Sequence, residues 1–402
     1  MDAIEIFTAL GTPEGRANPY PLYADLHELG EAITLAPGAV MVAGYDAINA
    51  ILREPGFRVS DEDRFDHDFP GWRANPVFVQ AMDWILNLNG PKHARIRSLM
   101  ARTFTARRVA ELAPAIARMA DELLDAMADR GADGSAVEFM HDFAYLLPVT
   151  VICELIGIPE ADREGFRPVA RDLARVFEFD DIAHLPAINA AAVELHAYFT
   201  GLATRRRSDP HDDLISDLLA VSDAADGRLS DAELLNNLTL LLVAGFETTT
   251  NLLGNGLHVM LEQPEFGAAV ADGSVPAAAF VEEALRFDSP VQLTSRIGYE
   301  TKIGEVMVSD GDMVTTLLGA GNRDPRRFAD PDVFRPSRSD GGPVSFGGGA
   351  HFCIGAALAR LEGGIAFPRL VRRFPKLSAA GEPVRRETFL LRGFDELPVT
   401  IA

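Results

Sequence analysis

The run SDAELLNNLTLLLVAGFETTTNLLGNGLHVMLEQP, from Ser230 to Pro264, constrains the fold more than any other stretch. Ser230 stands three residues before Glu233, the spacing of a capping box, and Pro264 supplies a stop. What lies between is too long and too apolar for a surface helix, so it is expected to cross a core. Midway, AGFETTT (Ala244 to Thr250) places a glycine, an acid and three hydroxyls where each is locally unfavourable. Such conflicts are expected at functional sites. A threonine hydroxyl can bond a carbonyl about a turn earlier and open the helix, with Gly245 leaving room beside it. The alternative is a polar kink satisfied by internal water.

Around this helix the chain reads as α-rich with minor sheets. PYPLYADLHELG reads as a short helix, and AVMVAGY as a strand ended by Gly44 and Asp46. From about Pro91 to Phe287 the pattern is mainly helical, AELAPAIARMADELLDAMADRG having apolar residues at helical spacing. Short β-branched runs separated by glycines follow between Pro290 and Val314. Helix returns at GAALARLEGGIAFPRLVRRF, and ETFLLRGFDELPVTIA closes the chain as a hairpin-like region. Without repeats or a low-complexity linker, residues 1–402 are expected to form a single domain. Its β-rich parts fall at about 30–60, 290–345 and 385–402, and its α-rich parts at about 90–290 and 355–375.

The net charge of −22 argues against nucleic acid, which needs basic stripes. Two cysteines exclude a disulfide framework and suit a reducing cytoplasm. The first residues show no signal-peptide pattern, and no uninterrupted apolar run of membrane-spanning length occurs, so no membrane association is expected.

One of those cysteines is Cys353, in FGGGAHFCIG. Zinc fits poorly, since His351 and Cys353 offer two ligands and Cys153 is two hundred residues distant. C-x-x-C-H for covalent haem attachment is missing, and no G-K-[ST] follows the glycines for phosphate. A cysteine nucleophile paired with histidine is conceivable, although no orienting third group is near. A buried structural cysteine is the plain alternative. One reading uses every residue: a thiolate on a glycine-permitted loop ligating haem iron. The glycines, Gly347 among them, would let backbone amides approach the sulfur, and the following helix would favour its ionised form.

FGGGAHFCIGAALAR resembles the haem-binding loop of the cytochrome P-450 family, F-G-x-G-x-H-x-C-x-G, and further family segments follow in order. The resemblance covers nearly the whole chain. It implies the family's triangular α-rich prism with small β-sheets, haem b lying between the long core helix and the cysteine loop. Cys353 is then the proximal iron ligand, Phe346 packs beside the sulfur and His351 lies near a propionate. GPKHARIR matches the H-x-x-x-R helix whose His93 and Arg97 bind propionates, although Lys92 departs from the usual D-P-P-E-H. Arg296 of SPVQLTSR matches a further propionate partner. VEEALR, NRDP and PDVFRPSR match a buried network of Glu283, Arg286 and Arg338. AGFETT matches the acid–alcohol pair, with Glu247 relaying protons, Thr248 bonding the bound oxygen, and Ala244 and Gly245 lining the haem.

By the same resemblance the protein is a monooxygenase that hydroxylates or epoxidises a lipophilic organic substrate, such as a polyketide, macrolide, terpenoid or peptide of secondary metabolism. Oxidative coupling, peroxide-driven oxidation and a non-enzymatic haem carrier or sensor are the alternatives. Substrate contacts are expected from residues 61–87, the helices around 165–200, the long helix, Val291 to Thr294 and Leu390 to Gly393. No flavin or iron–sulfur module is visible, so a ferredoxin and its reductase would supply electrons to a cytoplasmic monomer. Lys92, Arg95, Arg102, Arg107, Arg108 and Arg360 are either their docking face or ordinary solvated charges.

Overall fold

The computed structural model describes residues 1–178, 182–223 and 229–401. In chain order the helices that matter here are α1 (Gly90–Thr103), α2 (Ala113–Arg130), α3 (Leu146–Ile156), α4 (Glu160–Ala174), α5 (Leu185–Ser208), α6 (Asp231–Glu262), α7 (Ala277–Phe287) and α8 (Ala356–Arg373). The main strands are β1 (Ala32–Ala36), β2 (Ala39–Val42), β3 (Thr294–Ile297) and β4 (Met313–Thr316). Two compact units share the chain, one built from residues 1–58, 115–146 and 248–402, the other from 59–114 and 147–247.

The expected core helix is α6. Its capping box is formed in full: Ser230 N donates to Glu233 Oε2 at 3.0 Å and Glu233 N donates to Ser230 Oγ at 3.1 Å. It ends at Glu262, before Pro264. From Glu233 to Met260 every residue is buried except Ala244, Gly245, Thr248 and His258. The helix therefore does cross a core, and the first three exceptions, spaced i, i+1 and i+4, share one face.

In the first unit the sheet runs β1-β2-β4-β3, with β2 and β4 parallel and the outer pairs antiparallel. Its apolar face (Val40, Val42, Val314) packs with Ile48, Ile51 and Leu318, and Val344 joins the same cluster. That contact fixes the start of the cysteine loop against the sheet. α7 packs on α8. α8 approaches α6 at glycines: a Cβ on Gly256 would lie 2.3 Å from Phe367 Cζ.

In the second unit α4 packs on α5. Asn237 of α6 donates to Asp83 O at 2.8 Å and accepts from Ile85 N at 2.9 Å, which ties residues 83–85 to the core helix.

Two expectations are corrected. The helical run from Ala110 to Gly131 is broken at Leu112, between a helix at Ala106–Glu111 and α2. Pro114 has no N–H, and its ring would clash with the carbonyl of Ala110 in a continuous helix. The closing segment is no self-contained hairpin either. Phe394–Glu396 pairs with Val384–Arg385, whereas Pro398–Thr400 pairs with Val137–Glu138 and Ser378–Ala379. Leu397 alone separates the two strands, too little for a hairpin turn.

Candidate functional site

Cys353 is exposed, whereas Cys153 is fully buried. The loop that presents Cys353 is built on two left-handed glycines, Gly347 (φ 69°) and Gly349 (φ 61°), where a side chain would strain the backbone. A Cβ on Gly349 would also lie 2.3 Å from Leu52 O, so the loop can lie against the Tyr45–Arg53 helix only with glycine there. Cys353 N donates to Phe346 O at 2.9 Å, closing the loop. Phe346 and His351 are half-buried. The Arg360 guanidinium sits 4.5 Å over the Phe346 ring.

Behind this loop lies the expected buried network. Arg286 donates to both oxygens of Glu283, each at 2.8 Å, and Arg338 Nε donates to Glu283 Oε1 at 2.9 Å. Arg286 also donates to the carbonyl of Asn322 at 2.9 Å. Asn322 in turn donates to Ser345 Oγ at 2.8 Å and accepts from Val344 N at 2.8 Å. The ion network thus reaches the residue before Phe346, in agreement with its reading as scaffold for the cysteine loop.

Arg296 lies on β3, paired in register with Val314 of β4. It is 6% exposed and bonds only neutral oxygens, Thr294 Oγ1 at 3.1 Å and Ser295 O at 2.8 Å. Among the described residues no carboxylate pairs with it, and burial pushes its pKa down to about 10. A buried guanidinium of this kind is a site for an anion.

On α6, Thr248 belongs to the half-exposed face with Ala244 and Gly245, while Thr249, Thr250 and Glu247 are buried. A Cβ on Gly245 would lie 2.9 Å from Ile152 of α3, so the glycine also serves the contact of α6 with α3. Nor does the threonine run interrupt α6, which stays helical from Asp231 to Glu262.

In the second unit, α1 places His93 and Arg97 one turn apart, His93 buried and Arg97 half-buried. Burial first, and then the Arg97 charge, hold the His93 imidazole below its ordinary pKa. Lys92, the departure from the family pattern, turns to Asp83 at 2.8 Å.

The same unit contains a cavity of about 220 Å³ lined by the rings of Phe65, Phe69, Trp72 and Phe78, with Leu185 and Ile188. Phe65 packs against Phe69, Trp72 and Phe78 at centroid separations of 5.5, 5.8 and 6.1 Å. Both segments belong to those from which substrate contacts are expected.

Five of the six basic residues considered for docking are paired locally. Lys92 meets Asp83, Arg95 meets Glu233 at 2.6 Å, and Arg107 meets Glu111 at 2.9 Å. Arg108 meets Asp217 and Arg360 meets Glu282. Arg102 alone has no carboxylate partner among the described residues. Most of these cations are therefore neutralised by neighbours, as ordinary solvated charges would be.

Two features escaped the sequence reading. Glu362 of α8 is buried, its Oε2 has no hydrogen-bond partner among the described residues, and burial raises its pKa well above the carboxylate range. Its signal was an acid at helical spacing between Leu358 and Ala366, both buried. Asp288 with Arg385 and Arg392 forms a second buried ion cluster. No local spacing announces it, because Asp288 lies about a hundred residues from both arginines.

An exposed thiol on a glycine-built loop and a buried anion-seeking arginine fit the haem-thiolate oxygenases. The comparisons define the class. The sequence profile of the cytochrome P450 family matches residues 166–272 and 277–391. The chain is 38% identical to the vitamin D(3) 25-hydroxylase of Pseudonocardia autotrophica, over 96% of this chain and 94% of that protein. It is also 38% identical to the cytochrome P450 monooxygenase PikC of Streptomyces venezuelae, over 95% and 91%. Among solved structures, P450BioI in complex with acyl carrier protein ligated to hexadec-9Z-enoic acid superposes with a TM-score of 0.89 at 34% identity, covering 97% of this chain and all of that one. The chain belongs to the cytochrome P450 family and has its fold. It is a monooxygenase, and its cofactor is haem, iron protoporphyrin IX. Arg296 fits that group, since a propionate would supply the missing counter-charge. Among the described residues no helix is long and apolar enough to cross a membrane.

Proposed function

We propose that residues 1–402 act as one domain in which Cys353 Sγ, as thiolate, would ligate the haem iron. The observation that carries this reading is the exposure of Cys353, a residue type that is usually buried, on a loop that two left-handed glycines and a buried ion network hold in place. Phe346 shields the sulfur. Arg296, His93, Arg97 and His351 hold the propionates by charge-assisted hydrogen bonds. Haem, when bound, supplies the redox chemistry of dioxygen activation.

The chain's own part is positioning and proton delivery. Thr248 presents its hydroxyl from the half-exposed face of α6, beside Ala244 and Gly245, and Glu247 holds the proton that the hydroxyl passes on. Substrates are hydroxylated or epoxidised against walls contributed by residues 61–87, Val291 to Thr294 and Leu390 to Gly393. The aromatic cavity at Phe65 to Phe78 supports a lipophilic substrate. So do the relatives, which by name oxidise vitamin D(3) in one case and 6-deoxyerythronolide B in another. What the two compounds share is lipophilicity, and a lipophilic secondary metabolite is the substrate we assign. Electrons come from a ferredoxin and its reductase, in the cytoplasm, to a monomer.

The reduced carbonyl complex tests the centre. Wild type should show the absorption typical of thiolate ligation, and Cys353→Ser should lose it. A thiolate-type spectrum that survives in Cys353→Ser would remove the proposed ligand. Product formation that requires NADPH, ferredoxin and reductase separates an oxygenase from a haem carrier, which would turn nothing over.

A further inference from the structure

The Asp288 cluster lies directly behind two of the segments assigned to the substrate wall. Asp288 is 4% exposed, and three side chains converge on it. Arg392 Nε donates to Oδ1 at 2.5 Å, Tyr20 Oη donates to Oδ1 at 2.6 Å, and Arg385 Nη1 donates to Oδ2 at 3.0 Å. Against the upward push of burial, Arg392 and then Arg385 hold the carboxyl well below the usual carboxylate range.

The cluster also reaches the core helix. Asn255 of α6 donates from Nδ2 to Asp288 O at 2.9 Å and to Arg392 O at 3.0 Å. Its Oδ1 accepts from Arg385 at 3.1 Å. The two backbone segments flanking these residues are joined to each other. Arg392 N donates to Pro290 O at 2.8 Å and Gln292 N donates to Leu390 O at 2.9 Å, around the antiparallel bridge between Val291 and Leu391. Gly393 fits only as glycine, since a Cβ would lie 2.1 Å from Asn251 Oδ1. Val291, Thr294 and Leu390 remain half-buried.

A buried carboxylate with two guanidiniums is a poor way to gain stability, because desolvation offsets most of the attraction. What such a cluster does supply is direction: each bond fixes one chain segment at one distance. Among the described residues, every side-chain hydrogen bond made by Asp288, Arg385 and Arg392 ends on these three residues or on α6, apart from Tyr20 and two carbonyls, Arg16 O and Ala17 O, that accept from Arg392.

We propose that the Asp288–Arg385–Arg392 cluster is a positioning device that locks residues 290–292 and 390–393 to α6 as one wall, and thereby sets which ligand shapes the substrate site accepts. This rests on the reading that those segments face the substrate. The cluster touches no reacting group and acts through Val291 and Leu390.

The test uses the haem-loaded protein and two azole probes read by the haem absorption band: imidazole, too small to meet the wall, and 4-phenylimidazole, whose ring must. In Arg385→Gln, amide exchange at Gln292 and Arg392 should accelerate together by about tenfold. Affinity for 4-phenylimidazole should change by about tenfold while that for imidazole stays within about twofold. Asp288→Asn should repeat the pattern more strongly. Arg385→Lys, which keeps the charge, serves if the other variants do not fold. Unchanged exchange at either amide, or equal changes for both probes, overturns the proposal. Leu390→Ala separates the two readings. If 4-phenylimidazole senses Leu390→Ala but not Arg385→Gln, the positioning role alone is wrong. If it ignores Leu390→Ala and Val291→Ala as well, the substrate wall is misassigned and the proposal falls with it.

Discussion

Replacing Arg296 with methionine should move the haem-free and haem-loaded proteins in opposite directions. In the fold as it stands, the guanidinium is 6% exposed and bonds only a threonine hydroxyl and a carbonyl. Burial holds it at about 10 against an ordinary 12.5. That difference is equivalent to about 3 kcal/mol disfavouring the charged form. The sign follows from the direction: a cation with a depressed pKa destabilises the fold at every pH below the depressed value, so the full penalty is present at neutral pH. Methionine removes it and forfeits two hydrogen bonds worth about 1 kcal/mol each, which leaves the haem-free protein more stable by about 1 kcal/mol. With haem bound the sign reverses. The lost charge-assisted bonds to a propionate are worth about 1.5–3 kcal/mol, so haem should be released about ten to a hundred times faster. Urea denaturation of the haem-free protein and transfer of haem to an acceptor globin read the two effects separately. A methionine variant that is less stable without haem, or that holds haem as firmly as wild type, would refute the reasoning.

Three further outcomes follow from the same geometry. Glu283→Gln leaves the buried Arg286 without its carboxylate and Arg338 with Asp340 alone, and should lower stability in urea by about 3 kcal/mol, with haem absorbance lost before helical signal; a loss under about 1 kcal/mol would contradict the network's role. Glu362 carries a raised pKa, so its contribution to stability is full below about 4.5 and is lost as pH rises through the folded value; Glu362→Gln should flatten that decline, and an unchanged pH profile would show that the carboxyl is not the titrating group. Thr248→Ala should go on consuming NADPH with ferredoxin and reductase while product falls, whereas a parallel fall of both would remove the hydroxyl from proton delivery.

Much of the site was legible because its signals are local. The Ser230–Glu233 cap, the stop at Pro264 and the glycines before Cys353 each act within a few residues, and the structure keeps all of them. The Glu283–Arg286 pair is likewise a one-turn spacing, though its burial was not visible in the chain itself. Where a residue's meaning depended on what packs against it, the sequence left that meaning open. Gly245 meets Ile152 on the side where a Cβ would stand, and the charges around Lys92 and Arg108, left open between a docking face and ordinary solvated charges, are met by Asp83 and Asp217. Pro114 was the opposite case, a local breaker overlooked within a periodic run.

The contrast between the two buried ion clusters carries this further. Glu283, Arg286 and Arg338 reach the strand of chain that ends in Cys353, through Asn322 and Ser345. Asp288, Arg385 and Arg392 reach the segments at 290–292 and 390–393. Phe287 ends α7 and Asp288 follows it, so a single helix terminus stands between them. One cluster is aimed at the cofactor ligand and the other at the wall assigned to substrate. On the two proposals above, changes in the second cluster would alter which molecule is accepted while the first keeps Cys353 where it is.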